Sequence, residues 1–381
     1  MAMNNNDERA TAIDGSAPGA EKPQASVAPA GAINPVKTAV PPAGAAGNAP
    51  GTGINNAEKI KAFSQAVAKV KSELAKDVVG QKEIIDNVLI AIVAGGNVLL
   101  EGVPGVGKTR LVRSLGRTLG LPFSRIQFTP DLMPSDVTGT NVIEKGADGK
   151  MNTVFQQGPI FANLVLADEI NRATPKTQSA MLEVMQEHKV TVAKKTYVLK
   201  EPFFVLATEN PIEQDGTYPL PEAQMDRFIF KLIVNFPSID ELAGIVNMTQ
   251  ITMEETATAV IDGPTVLEMR ALANKVPVIA DVLNFAVRLV SNSHPELEKT
   301  SETAKKYIKY GASPRAAQAL ITAAKVRALM NGNYNVSYDD IIALACPVLR
   351  HRIKINYSAI NDKLTVDDVI GMLVNDTKKK N

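Results

Sequence analysis

Cysteine is almost absent from this chain of 381 residues: Cys346 stands alone, tryptophan is missing, and there are only three histidines. A lone cysteine excludes an internal disulfide, and three histidines beside it do not make a zinc framework. Cys346 lies in an apolar run, which predicts a packed thiol and not a reactive one. An excess of charge of one sign is also lacking, the net being +1, so no global field recruits nucleic acid or an anionic membrane. No stretch approaches the roughly eighteen uninterrupted apolar residues of a membrane span, and the N-terminus has no apolar signal region. Together these predict a cytoplasmic protein without membrane insertion. No aromatic precedes Phe63, and positions 17–53 hold eleven Ala, seven Pro and six Gly. Such a segment buries too little apolar surface to offset its chain entropy, which predicts a disordered tail over residues 1–55.

Against these absences stands one dense signal, Gly102-Val103-Pro104-Gly105-Val106-Gly107-Lys108-Thr109. It fits the phosphate-cradling pattern G-x-x-x-x-G-K-[ST] at every fixed position. At ordinary residue frequencies such a match arises by chance in about one chain in a hundred of this length. The apolar run Val98-Leu99-Leu100 before it reads as a buried strand. After it, Leu111, Val112, Leu115 and Leu119 recur at helical spacing, with Gly120 at the C-cap. Strand, glycine loop and helix are the geometry that phosphate cradling needs. The N–H groups of Gly102, Pro104–Gly107 (proline excepted) and the helix start surround phosphates, Lys108 adds a point charge, and Thr109 ligates Mg²⁺. Arg110, one residue on, is a further expected nucleotide contact.

Helical patterns through Ile60, Phe63, Val67, Val70 and Leu74, and again up to Val93, precede this loop. Strand-like runs follow at Phe123–Phe128, Leu164–Ala167, Phe203–Thr208 and Phe228–Val234. Alternation of strands with helices predicts an α/β fold with a parallel sheet covered on both faces, over residues 56–236. From Pro237 the texture turns helical, predicting an all-helical second domain over 237–381.

Two further elements carry chemistry. Leu164–Ala167 runs into Asp168-Glu169, sixty positions beyond Lys108. Asp168 is expected to hold Mg²⁺, through water, and Glu169 to orient and deprotonate the attacking water. Leu206-Ala207-Thr208-Glu209-Asn210-Pro211 ends a buried strand in an amide. Asn210 either holds the attacking water or starts a turn with Pro211.

Taken in order, Lys108, Asp168-Glu169, Asn210, Asp226-Arg227-Phe228 and Ser313-Pro314-Arg315 resemble the motifs of an AAA+ ATPase: Walker A, Walker B, sensor 1, arginine finger and sensor 2. Finer stretches resemble the MoxR family, namely 128–139, Gly158-Pro159-Ile160-Phe161, Ala167–Arg172 and 216–228. The resemblance spans about residues 57–374. It implies a P-loop sheet domain followed by a helical lid, ATP and Mg²⁺ as ligands, and a homo-oligomeric, hexameric ring. It also implies that Arg227 reaches the γ-phosphate of a neighbouring subunit, against the alternative of a salt bridge to Asp226 or Glu222. Arg315 matches sensor 2, acting in its own subunit or across an interface. Val79-Gly80-Gln81 resembles the adenine-pocket segment, so Gly80 and Gln81 join the expected contacts.

Two insertions, residues 139–157 and 189–199, read as hairpins. In related proteins such hairpins touch the client, although Lys194 and Lys195 at the second tip also suit a solvated turn. The leading function is chaperone-like remodelling or activation of protein complexes, with a protein client and with a partner bearing a von Willebrand factor A domain on another chain. A nucleic-acid motor and a metal-chelatase-type ATPase subunit are the alternatives. Balanced charge and the lack of a separate DNA-binding domain argue against DNA.

Overall fold

A computed structural model describes residues 52–103, 105–145, 151–211, 216–251 and 256–379. Of the sequence expectations, the tail up to residue 51, Pro104 of the glycine loop and the 146–150 tip of the first hairpin lie outside the described residues.

Helix α1 (Thr52–Leu74) opens ahead of Asn56, and its stripe Phe63, Val67, Val70 and Leu74 is buried as the spacing demands. Its C-terminal end is pinned by two carboxylates. Glu73 accepts from the N–H and hydroxyl of Thr258 (2.8 Å each), and Asp77 accepts from the N–H groups of Thr256 (2.7 Å) and Ala257 (3.1 Å) and from Ser114 Oγ (2.9 Å). Lys76 beside it, then the Thr258 donors, hold the Glu73 carboxyl down to about 2 from its ordinary 4.5. A carboxyl with a lowered folded-state pKa stabilises above the unfolded pKa and loses that contribution as pH falls through the folded one. Glu73→Gln is therefore expected to lower Tm most above about pH 4.5, with the deficit shrinking as pH approaches 2. A pH-independent deficit in thermal unfolding would show that the charge is not what matters.

Next come α2 (Lys82–Ala94), β1 (Asn97–Gly102), α3 (Lys108–Thr118), β2 (Phe123–Gln127), α4 (Pro134–Thr138), the hairpin β3 (Gly139–Lys145) and β4 (Met151–Gln157), and β5 (Leu164–Asp168). They are followed by α5 (Pro175–Glu187), the hairpin β6 (Lys189–Val192) and β7 (Lys195–Val198), β8 (Phe204–Glu209), α6 (Glu222–Met225) and β9 (Phe228–Val234). The five central strands pair in parallel in the order β2-β5-β8-β1-β9.

Strand alternation divides the interior in two. Val98, Leu100, Leu164, Leu166, Phe204 and Leu206 enter one core with α1 to α3. Leu99, Val165, Ala167, Val205 and Ala207 enter the other, with Met181, Leu182 and Met185 of α5. A sheet buried on both faces needs apolar residues of both parities, so these strands read as continuous apolar runs and not as alternating ones.

The remaining elements are α7 (Ile239–Ile251), α8 (Gly263–Asn274), α9 (Ala280–Ser291), α10 (Glu302–Tyr307), β10 (Ile308–Tyr310), α11 (Pro314–Met330), α12 (Tyr338–Leu349), β11 (Lys354–Ile355), α13 (Tyr357–Asn361) and α14 (Val366–Lys379). The region expected to be all helix thus contains one short antiparallel pair, β10 with β11. Its strands are two and three residues long, below what an alternating pattern can reveal. Apolar side chains of α8, α9, α11, α12 and α14 continue the first core without a break. Cys346 is half-buried there, and burial, helped by nearby Asp367, pushes its thiol up to about 11. A thiol so seldom ionised is inert, as its apolar setting predicted.

Strand β9 is an edge of the sheet, and an edge leaves backbone carbonyls unpaired. The bend after α12 covers them. Arg350 donates to Lys231 O (2.9 Å), His351 Nε2 to Phe228 O (3.1 Å), and Arg352 to Phe228 O (2.7 Å) and Ile229 O (3.2 Å). Burial and the neighbouring Arg352 hold the His351 pKa far below its usual range, so the ring is neutral and Nε2 carries the proton the carbonyl needs.

Candidate active site

The glycine loop leaves β1 at Gly102 and enters α3 at Lys108, with Gly107 as the helix N-cap. Gly105 and Gly107 sit at φ +85° and +81°, and a Cβ on either would meet nothing within 4 Å. Backbone conformation and not crowding demands glycine there, and the open space is what a phosphate group needs. Lys108 Nζ crosses the loop to donate to Gly102 O at 2.7 Å. Burial lowers its pKa, opposed by the charges of Asp168 and Glu169. Half-buried Thr109 and Arg110 follow on the first turn of α3. Arg110 Nε is buried with no hydrogen-bond partner, an orphaned donor facing the same region.

Beside the loop lies a cavity of about 500 Å³. Val78, Val79, Gln81 and Val106 line one side, and Phe236 and Leu242 come from the β9–α7 connection and α7 on the other. Gly80 and Gln81 both have positive φ, +70° and +52°, and a Cβ at Gly80 would collide with the Glu241 carboxylate. That turn is further tied down by Gln81 Nε2, which donates to Val106 O at 2.9 Å. Apolar walls with a few backbone polar groups suit a purine ring. The wall from α7 was not anticipated: Phe236 and Leu242 are ordinary apolar residues in sequence, and only the fold brings them opposite Val79.

At the C-terminal ends of β5 and β8, Thr208 joins the two carboxylate residues. Its hydroxyl accepts from the Glu169 N–H (2.8 Å) and donates to Asp168 Oδ1 (2.7 Å). The other Asp168 oxygen accepts from Arg125 Nη2 at 2.7 Å and Nε at 3.1 Å. Glu169 sits at φ +57°, rare outside glycine, and its Oε2 accepts from Gln127 Nε2 and Arg172 Nη1, both at 3.0 Å. Asn210 is buried one residue beyond β8. Thr208, Arg125 and Gln127 carried no sequence signal, since they act through strand register: Gln127 pairs with Asp168, and Ala167 with Ala207 just before Thr208.

These residues fit the implied Mg²⁺. Magnesium takes one or two protein oxygens and completes its shell with phosphate and water, and the Thr109 hydroxyl with Asp168 supplies that donor set. No group of three or more His, Cys, Asp or Glu that could hold a metal occurs among the described residues.

Arg227 and Arg315 are not gathered with them. Arg227 immediately precedes β9, whose first residue Phe228 pairs with Asn97 at the start of β1, whereas Gly102 at the end of β1 pairs with Val234. The six residues of β1 therefore separate Arg227 from the glycine loop by roughly 17 Å. Arg315, 51% exposed, lies at the same end, 3.7 Å from Asp226. The alternative salt bridge from Arg227 to Asp226 or Glu222 is absent. Asp226 is held by Arg352 and Ser313 and Glu222 by Lys354, while Arg227 Nη1 donates to Leu182 O at 2.9 Å.

Both insertions are antiparallel hairpins. They meet through Phe155 stacked on Tyr197, ring centroids 4.1 Å apart, with Phe161 edge-on to both. Ile143 and Met151 on the first hairpin are more than 70% exposed. Ala193 and Lys194 both take positive φ in the two-residue turn of the second.

Comparison with known proteins agrees with the geometry. The sequence family "ATPase family associated with various cellular activities (AAA)" matches residues 97–230, and "AAA lid domain" matches residues 300–371. The chain is 39% identical over 325 residues to Chaperone MoxR1 of Mycobacterium tuberculosis, covering 85% of this chain and 84% of that one. It is also 39% identical to the YeaC protein of Bacillus subtilis, over 82% of this chain and 94% of the other. A solved structure from Cytophaga hutchinsonii superposes with a TM-score of 0.79 at 40% identity, covering 86% of this chain and 98% of that chain. Among the described residues no helix is long and apolar enough to cross a membrane.

Proposed function

This chain belongs to the MoxR family of AAA+ ATPases and hydrolyses ATP, and from that premise we propose that it works as a hexameric ring which remodels or matures protein complexes. One observation carries the assembly: the pocket and the two arginines lie at opposite ends of β1 and β9. No subunit completes its own site, since a strand's length exceeds the reach of an arginine. A neighbour's Arg227, joined by Arg315, supplies the missing cations across each interface, and repetition of that head-to-tail contact closes a ring.

Within a site, the adenine rests between Val79, Val106 and Leu242, and the loop amides and Lys108 hold the phosphates. Thr109 and Asp168 would hold Mg²⁺, which when bound would supply charge neutralisation at the phosphates. The Thr208 hydroxyl fixes the Asp168 carboxylate by its Oδ1. Glu169 takes the proton of the attacking water, which Asn210 orients. At rest its Oε2 is held by Gln127 and Arg172, so hydrolysis requires the carboxylate to turn from them toward the phosphate. Arg227 meets the charge that builds on the transferred group.

The name of the mycobacterial relative, a chaperone, supports a protein client. So do the exposed apolar residues of the paired hairpins, Ile143 and Met151, which suit protein contact better than nucleic acid. From the family resemblance we propose proteins with a von Willebrand factor A domain as the partner class.

Lys108→Ala tests the pocket. The variant is expected to bind ATP about ten- to a hundredfold more weakly, the scale of one charged hydrogen bond, with thermal unfolding of the nucleotide-free protein little changed. An unchanged dissociation constant in calorimetric titration would remove Lys108 from the phosphates.

A further inference from the structure

The turn that carries Arg227 is gripped by an arginine outside every motif. Arg352, in the bend between α12 and β11, has a side chain only 3% exposed. A guanidinium so buried must satisfy its five N–H donors within the protein, and all five are used. Nε donates to Asp226 Oδ1 (2.7 Å), Nη2 to Asp226 O (3.2 Å) and Phe228 O (2.7 Å), and Nη1 to Ile229 O (3.2 Å) and Val348 O (2.5 Å). Four of these acceptors belong to the stretch 226–229, which brackets Arg227.

The Asp226 carboxylate also joins that stretch to α11. Ser313, the residue before α11, donates its hydroxyl to both Asp226 oxygens at 2.9 Å, and Arg315 on the first turn lies 3.7 Å away. The Arg227 guanidinium makes one hydrogen bond inside its subunit, to Leu182 O, which leaves most of its donor fork for another molecule. The two arginines therefore divide the work: one commits every donor to the scaffold, and the other keeps its donors for a ligand.

We propose that Arg352 is a positioning residue for hydrolysis in the adjacent subunit, fixing Asp226 so that Arg227 and Arg315 project together toward the neighbour's nucleotide. The assignment rests on the reading of Arg227 as a finger that acts across the interface. Its physical basis is preorganisation. Donors aimed before the reaction cost no rearrangement during it, and a misplacement of about 1 Å costs about 10²-fold in rate. The lid thereby gains a hold on a neighbour's chemistry, because Arg352 stands just beyond α12 while the turn it holds carries the finger.

Arg352→Gln is expected to bind ATP with wild-type affinity and to hydrolyse it about 10²-fold more slowly, with kcat reduced and KM unchanged. Mixed rings separate this from general damage. Arg352→Gln subunits retain a sound pocket and lack a sound finger, so mixing them with Lys108→Ala subunits restores part of the activity. Mixing them with Arg227→Ala subunits restores none, since both lack the same function. A defect in the variant's own pocket gives the reverse pattern and overturns the proposal. If Arg352→Gln does not fold, Asp226→Asn, which keeps shape and removes the charge, is carried through the same mixtures with the same expectation. Arg227→Ala mixed with Lys108→Ala is the control. Recovery there, with none for Arg352→Gln plus Lys108→Ala, overturns the role of Arg352 alone. A control that fails in rings shown by mass to be mixed overturns the shared-site reading, and this proposal with it.

Discussion

Rings in which every Arg227 is alanine are expected to hydrolyse ATP about 10³–10⁵-fold more slowly than wild type, the range established for arginine fingers. Isolated subunits of the same variant are expected to bind ATP normally. The split follows from strand topology. Arg227 stands before β9, level with the start of β1, and the glycine loop is at the other end of β1. Losing the side chain therefore leaves the subunit's own pocket untouched. The single hydrogen bond of its side chain, to Leu182 O, is at a half-buried position, and breaking this charged bond costs about 2 kcal/mol, small beside a typical folding stability of about 5–15 kcal/mol, so folding survives. Phosphate release at saturating ATP, set beside a binding titration on the same preparation, checks both halves. Parallel loss of binding and turnover would mean that Arg227 supports its own pocket, and turnover near wild type would mean that another cation completes the site.

Glu169→Gln is expected to retain ATP while hydrolysing it about 10²–10⁴-fold more slowly, the scale of a lost general base. The amide matches the carboxylate in size, and the unusual backbone at φ +57° is held by the Glu169 N–H to Thr208, which the substitution leaves in place. Nor does the change reach Asp168, whose Oδ1 is kept by the Thr208 hydroxyl. Binding and metal coordination should therefore persist while proton removal from water fails. Single-turnover hydrolysis measured on preformed ATP complexes isolates that step. A near-normal rate there would assign water activation to a different group. The expected long-lived ATP state also makes this variant the best bait for a client, since the ring would stay in its ATP-bound form during capture.

What the sequence determined by itself is whatever neighbouring residues carry. Eight consecutive residues, 102–109, hold the phosphate loop, and the apolar runs around Leu99, Leu166 and Leu206 announce strands buried on both faces, because a parallel sheet under two layers allows no polar alternation. Helix periodicity located α1, α3 and the long helices of the lid, where each stripe faces one core. Catalytic candidates were legible as residue types at strand ends: Asp168, Glu169, Asn210 and Arg227. Their relations were not. That Thr208 ties Asp168 to Glu169, that Arg125 rests on Asp168, and that Phe236 and Leu242 face Val79 depend on which strands and helices lie side by side, and side-chain period says nothing of strand order. The alternative partner weighed for Arg227 fails for the same reason: Asp226 is adjacent in sequence, yet its carboxylate belongs to Arg352, 126 residues away along the chain. A short pair such as β10 with β11 has too few residues to form a pattern and exists only because the lid helices bring its strands together. Tertiary structure alone decided that the pocket and the arginines lie at opposite ends of the sheet, since that distance is set by pairing β9 parallel to β1, a long-range contact whose register no local segment encodes.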